Sequence, residues 1–309
     1  MSYGGDDYGG GPSRGGFRLS LVAAVVLGLF AVVRYFSQTQ VNPVTGERQH
    51  IAMSVDEEKS MGLQAAPQME KQMGGSVDES EPRARLVDEV GRRLVERSDA
   101  GKSPYADNFH FHLLADPKTI NAFALPGGQI FITSALFDKL ANEAQLAGVL
   151  GHEIGHVVVR HSAQQMAKGQ LGQMLATAVG VGAADRQDGG RSAMMAAQMA
   201  NQMMQLKYGR TDESQADAFG LRYMAQAGYD PSGMLDVMQV LKDASQGGRQ
   251  PEFLSSHPLP ETRLDDIKAI LAKTYPDGIP ASFTKGRSLQ GLGGRTGRPR
   301  QFGRGDDSY

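Results

Sequence analysis

The stretch Leu146 to His161, LAGVLGHEIGHVVVRH, constrains this chain more than any other. It holds His152, Glu153 and His156 in the pattern H-E-x-x-H. Residues four apart on an α-helix lie on one face, one above the other. A helix here therefore aims two imidazoles at one point, with Glu153 one step round and within reach of a water held there. Two neutral histidines, a carboxylate base and an open position are the parts of a catalytic zinc site. The flanking residues favour the helix. Asn142 is a natural N-cap and Glu143 puts negative charge in the first turn. Leu146, Val149, Leu150 and Val157 recur at helical spacing. No proline occurs from Asn142 to Gly180. Gly151 and Gly155 each cost about 1 kcal/mol relative to alanine in a helix, but they let a second backbone approach closely.

A catalytic zinc needs a third protein ligand. The metzincin solution is a histidine six residues past the second motif histidine; Ser162 stands there, and Val159 occupies the position that pattern reserves for glycine. His161 lies five residues past His156, which on a continuous helix turns it away from the site. The stretch Thr211 to Tyr223, TDESQADAFGLRY, offers Glu213 and Asp217 four apart, on a face shared with Ala216 and Gly220. Capping by Thr211 and the helix dipole account for Asp212. They do not account for Asp217 among small residues. Glu213 is read as the third ligand, and Asp217 as the group that orients a ligand histidine through its other ring nitrogen.

The rest of the chain organises around this domain. Among 309 residues, 32 Lys and Arg nearly balance 34 Asp and Glu, so no global charge points to nucleic acid. The absence of cysteine excludes disulfides, thiolate ligands and a cysteine nucleophile. Residues 1–16 are Gly-rich and read as a disordered tail. Residues 17–36 read as an N-terminal membrane anchor that contacts the lipid bilayer. A secretory signal peptide is the competing reading, although no small-x-small cleavage site follows the run. Arg14 and Arg18 before the run and Arg34 and Arg48 after it leave the orientation open. Residues 37–53 read as a linker, residues 54–284 as the catalytic domain and residues 285–309 as a flexible Gly/Arg-rich tail.

Within the domain, Ser54 and Glu57 form a capping box, and Glu81-Pro82 opens a helix carrying Leu86, Val90 and Leu94 on one face. Phe109, Phe111 and Leu113 alternate with His110 and His112, as in an edge strand with its histidines to solvent. Asn121 to Thr133, NAFALPGGQIFIT, reads as a hairpin turning at Pro126-Gly127-Gly128. Its first strand is either open to an extended peptide or packed into the core. Met194, Met195, Met199, Met203 and Met204 make a stripe of the kind that fills cores. His257 lies in the loop SSHPLPETR, ahead of a helix begun by Pro260. Near a zinc site such a histidine either steadies a developing oxyanion, a catalytic role, or plugs the fourth metal position; Arg263 can support both.

The H-E-x-x-H helix, the segment Glu213 to Asp217 (ESQAD), Asn121-Ala122-Phe123-Ala124, and His257-Pro258 with Arg263 occur in this order in one family. It is the membrane-linked gluzincin family of the CAAX prenyl protease, the mitochondrial Oma-type protease and bacterial periplasmic quality-control proteases. From about Asn42 to Thr274 the chain resembles the bacterial members. The resemblance implies a mostly helical, zincin-like α+β domain with a small β-sheet whose edge strand, Asn121 to Ala124, borders the active site and binds substrate. It implies a zinc endopeptidase with one Zn2+ per chain on His152, His156 and Glu213, and Glu153 as general base. It further implies protein or peptide substrates, unfolded or damaged envelope proteins among them, and a catalytic domain on the periplasmic, outer side. Two other classes compete: a zinc-containing chaperone-like or adaptor protein, which has no use for Glu153, and a zinc hydrolase of a non-peptide bond, which has no use for a strand-pairing hairpin. The oligomeric state is not legible.

Overall fold

The computed structural model describes residues 14–179, 207–246, 250–258 and 261–292; the Met194 to Met204 stripe lies outside them. The chain runs through a helix, Arg14–Ser37 (α1), into an antiparallel hairpin of Thr39–Val41 (β1) and Arg48–His50 (β2). A helix does form where a membrane anchor is expected. Yet among the described residues no helix is long and apolar enough to cross a membrane. The strict apolar run, Leu19 to Val33, reaches only about 22 Å at 1.5 Å per residue, against about 30 Å of hydrocarbon.

The expected linker 37–53 is instead a built element. Asn42 and Gln49 are buried, and their amides donate to the carbonyls of Val158 and Val159 at 3.0 and 2.8 Å. Those carbonyls end the motif helix, where helical geometry leaves them without partners. The hairpin therefore closes the C-terminal end of that helix.

Two helices follow. Val55–Gln72 (α2) starts at the Ser54/Glu57 capping box, and Pro82–Glu96 (α3) starts at its proline and buries Leu86, Val90 and Leu94. The sheet has His110–Leu114 (β3), Ala122–Ala124 (β4) and Gln129–Thr133 (β5), in the order β3-β5-β4. β3 runs parallel to β5 and β4 antiparallel to it. Phe111 and Leu113 point inward and His110 is exposed. The β4–β5 turn requires its glycines: Gly127 and Gly128 have φ of +82° and +115°, and a Cβ on Gly127 would stand 2.4 Å from Lys59 Cα.

Pairing parity decides what β4 exposes. Leu125 N–H donates to the Gln129 carbonyl and Thr133 N–H to the Asn121 carbonyl. Alternate residues share that direction, so Phe123 faces β5. The N–H and C=O groups of Ala122 and Ala124 face the free edge.

After the short helix Ser134–Phe137 (α4) comes the motif helix, Glu143–Val159 (α5), in which every residue is buried. Asn142 caps it, Oδ1 accepting from Gln145 N–H at 3.1 Å. Two more first-turn N–H groups, of Glu143 and Ala144, donate to the carbonyls of Arg287 and Lys285. Residues 285–292, expected to be tail, are thus held against the domain, with Leu289 buried.

α5 does not continue into His161–Val179 (α6). Arg160 stands between them in the left-handed region, φ 65°. Its guanidinium explains the break: Nε and Nη2 donate to Glu58 Oε1 at 2.8 and 2.5 Å, and Nη2 also donates to the Met53 carbonyl at 2.7 Å. Glu58 Oε2 accepts from Tyr105 at 2.8 Å. These charge-assisted bonds hold a conformation that costs a non-glycine residue roughly 1–2 kcal/mol.

Arg210–Gln226 (α7), Gly233–Ser245 (α8), Phe253–Ser256 (α9) and Glu261–Thr274 (α10) complete the described domain. The cap of α7 is Gly209 rather than Thr211, with Asp212 Oδ2 accepting from Gly209 N–H at 3.0 Å. α7 lies directly on α5 through small residues. A Cβ on Gly155 would be 2.9 Å from the Ala216 carbonyl oxygen, and one on Gly220 would be 3.0 Å from His152 N. Gly155→Val is therefore expected to lower unfolding free energy by at least about 1–3 kcal/mol through overpacking. Gly172→Ala, on α6 with nothing within 4 Å, should raise it by up to about 1 kcal/mol. Urea denaturation of both variants checks the contrast.

Candidate active site

His152 and His156 stand one turn apart on α5, both buried, with their Nε2 atoms 3.0 Å apart. The glycine-lined contact lets α7 present Glu213 to them. Its Oε2 is 3.6 Å from His152 Nε2, and its Oε1 is 3.4 Å from His156 Nε2. His257 caps the C-terminus of α9 and is also buried. Its Nδ1 lies 3.3 Å from His152 Nε2 and 3.0 Å from Glu213 Oε1.

This cluster passes two tests as a metal site. The first is spacing. Ligand atoms at about 2.0–2.1 Å from a tetrahedral zinc are roughly 3.3–3.4 Å from each other; the contacts above run from 3.0 to 3.6 Å. The second is satisfaction. Glu153 Oε1 and His257 Nε2, beside the cluster, are buried without a hydrogen-bond partner, whereas buried polar atoms are ordinarily bonded. Nitrogen and carboxylate donors in this number suit zinc.

The supporting groups define the ring orientations. His152 Nδ1 is 2.9 Å from Asp217 Oδ1. A carboxylate only accepts, so Nδ1 carries the hydrogen and Nε2 turns its lone pair to the cluster. Arg263, from α10, donates to both Asp217 oxygens at 2.7 and 2.8 Å, and its Nη1 is 2.6 Å from Glu213 Oε2. Burial pushes the Asp217 carboxyl up, but Arg263 and His152 outweigh it and hold it below the usual carboxylate range. Burial likewise opposes ionisation of Glu213, and His257, His156 and His152 together hold it well below that range.

Glu153 differs. Burial pushes its carboxyl up to about 7, His152 and Arg263 pulling down and Glu213 pushing up. The backbone N–H of Ala124 faces the same carboxyl and favours its ionised form. That contact brings the free edge of β4 to the cluster. Asn121 is held at the start of the strand by Thr133, whose Oγ1 accepts from Asn121 N–H at 3.1 Å. Phe123 stacks on Phe131 at 5.0 Å between centroids.

His110 and His112 take no part. They sit on the opposite edge strand, where His112 pairs with Glu70 at 3.2 Å. Two residues at the site were not placed there by the sequence reading. The Tyr208 ring lies 4.1 Å from the His156 ring, with its hydroxyl bonded to Ser162 at 2.9 Å. His161 meets His156 directly, Nδ1 to Nδ1 at 2.9 Å. The break at Arg160 turns it inward, so the continuous-helix argument that set it aside does not hold.

Residues 81–271 match the model of peptidase family M48. The chain belongs to peptidase family M48. M48 metallopeptidases use zinc, which the His152, His156, Glu213 and His257 group fits. The chain is 31% identical to the beta-barrel assembly-enhancing protease of Escherichia coli (strain K12) over 280 residues, 87% of this chain and 56% of that protein. It is 32% identical to the protease of the same name from Yersinia pestis over 237 residues, 73% of this chain and 46% of that one. With the mitochondrial metalloendopeptidase OMA1 of Schizosaccharomyces pombe it shares 30% identity over 239 residues, covering 76% and 67% respectively. The chain thus spans about half the length of the bacterial M48 relatives it matches. Asp217→Ala is expected to weaken zinc binding by about 10- to 100-fold, as loss of a group that orients a ligand histidine does. Competition with a zinc chelator measures it.

Proposed function

We propose that the chain is a zinc-dependent endopeptidase that hydrolyses peptide bonds of unfolded or damaged membrane and envelope proteins. One observation carries the reading: Ala124, on the free edge of β4, faces Glu153, beside four residues spaced to hold a metal. A peptide adding to that edge pairs with the backbone of Ala122 and Ala124 and is thereby laid alongside the carboxylate. Asn121 Oδ1, buried without a partner, leaves one further acceptor at the start of the strand. Phe123, on the sheet face, packs against the substrate side chains that point the same way.

His152, His156 and Glu213 would hold the zinc, which would supply Lewis acidity and lower the pKa of water toward neutrality. Glu153 accepts the water's proton as the oxygen attacks the peptide carbonyl, then passes it to the leaving amine. Asp217 and Arg263 keep His152 and Glu213 in place while charge moves. His257 Nδ1 fills the fourth corner of the cluster, 3.0 Å from Glu213 Oε1. As a plug, its side chain would have to rotate away before Glu153 acts; off that corner, it would serve to steady the oxyanion.

The site of action is read as the cell envelope. The bacterial relatives are named for β-barrel assembly, which supports substrates among envelope proteins. Along α1, Val22, Val25, Val26, Leu29, Val33 and Phe36 are exposed. Such a row of apolar side chains fits an anchor in lipid, with the catalytic domain on the outer side.

The test is cleavage of casein by the purified full-length chain. Glu153→Gln is expected to keep its zinc and lose about 10²- to 10⁴-fold in rate. Chelation should abolish cleavage and added zinc restore it. A zinc-loaded Glu153→Gln that cuts as fast as wild type sinks the mechanism. His257→Ala should raise basal cleavage if the plug dominates the resting state, read as initial rate at equal zinc content.

A further inference from the structure

His161 is 1% exposed and belongs to no metal corner, yet its ring is edge-on to that of His156 with centroids 4.8 Å apart. Of the two facing Nδ1 atoms, 2.9 Å apart, one donates and the other accepts. The neighbouring contacts decide which. On its far side His161 Nε2 is 3.1 Å from Gln215 Oε1. The amide nitrogen of Gln215 is 3.3 Å from each carboxylate oxygen of Glu47. A carboxylate only accepts, so the amide nitrogen must be the end facing Glu47, and the amide oxygen the end facing His161. That oxygen also only accepts, so His161 Nε2 carries the hydrogen. The lone pair of the neutral ring is then on Nδ1, and His156 Nδ1–H donates to it. The opposite assignment would put hydrogen on His156 Nε2 and prevent that ring from ligating.

We infer that Glu47, Gln215 and His161 form a relay that fixes His156 as its Nδ1–H tautomer, leaving Nε2 free for the metal. The inference rests on the zinc reading above. It makes His161 and Gln215 positioning residues. The two ligand histidines are then held by different means: His152 by a buried carboxylate, His156 by a chain of neutral groups ending in an exposed one. The relay draws on three elements, the β1–β2 turn, the first residue of α6 and the middle of α7. Only the left-handed Arg160 lets the second of these reach the site.

Two measurements on the full-length chain test it. Long-range proton–nitrogen NMR correlations of the metal-free protein should show hydrogen on His156 Nδ1 and on His161 Nε2; hydrogen on His156 Nε2 overturns the relay. In chelator competition with zinc alone, His161→Phe should bind about 10- to 100-fold more weakly than wild type. His161→Asn, whose Oδ1 takes the place of Nδ1, should bind close to wild type. A folded His161→Phe with wild-type zinc affinity overturns the proposal. Should that variant not fold, Gln215→Leu, at a half-buried position, should give a mixture of His161 tautomers; a single unchanged tautomer counts against the relay. If wild type itself takes up no zinc, the zinc reading fails, and the NMR tautomers still decide the relay.

Discussion

Backbone-to-backbone contact between α5 and α7 is the constraint on which the site depends. Glu213 is a short reach from two histidines only because Gly151 and Gly155 on one helix meet Ala216 and Gly220 on the other. A methyl group at Gly155 would collide with the Ala216 carbonyl, and one at Gly220 with the Met234 side chain, hard against the His152 backbone. Side chains on well-packed helices are ordinarily separated by interaxial distances of about 8–10 Å. Here bulk is removed from the contact so that the polar side chains above it can converge. The helix stability that two glycines forfeit in α5 is offset by tertiary contact, since the whole helix is buried.

A helix enclosed on every side needs partners for its terminal backbone groups, and the chain draws them from distant segments. The β1–β2 hairpin bonds the last carbonyls, and residues 285–287 bond the first N–H groups. Arg160 then turns the chain by joining Glu58 and the Met53 carbonyl. The β1–β2 hairpin and residues 285–287 thus sit at opposite ends of α5. These clasps also reach the site, because the hairpin turn carries Glu47, which meets Gln215, and the Arg160 bend brings His161 to His156.

Much of this was legible in the sequence. Helical period alone puts His152 and His156 on one face, and Glu213 and Asp217 on another, because positions four apart lie 6 Å or less from each other in any α-helix. Capping by Ser54 and Asn142 was legible because it is local, requiring only a side-chain oxygen and an N–H two or three residues on. The Pro126-Gly127-Gly128 turn was legible for the same reason. The hairpin at 39–50 was not, since its polar strands carry no apolar alternation and are held by a helix end more than 100 residues away. Nor was the hold on residues 285–292, where the pattern Gly-Arg-Ser-Leu resembles any flexible tail and a single buried leucine is too weak a signal. His161 escaped because the helix break before it is made by an arginine rather than by glycine or proline.

The sequence by itself determined the local chemistry: which residues lie on one helical face, where helices start, where the hairpin turns, and that a carboxylate stands beside two histidines. The tertiary structure alone decided that His257 enters the cluster, that Arg263 binds two carboxylates, that Ala124 faces Glu153 and that His161 meets His156. The physical reason is range. Helical period, capping and turn propensity act within a few residues, whereas each of these contacts joins segments whose meeting is fixed by shape and by the burial of polar groups that have no other partner.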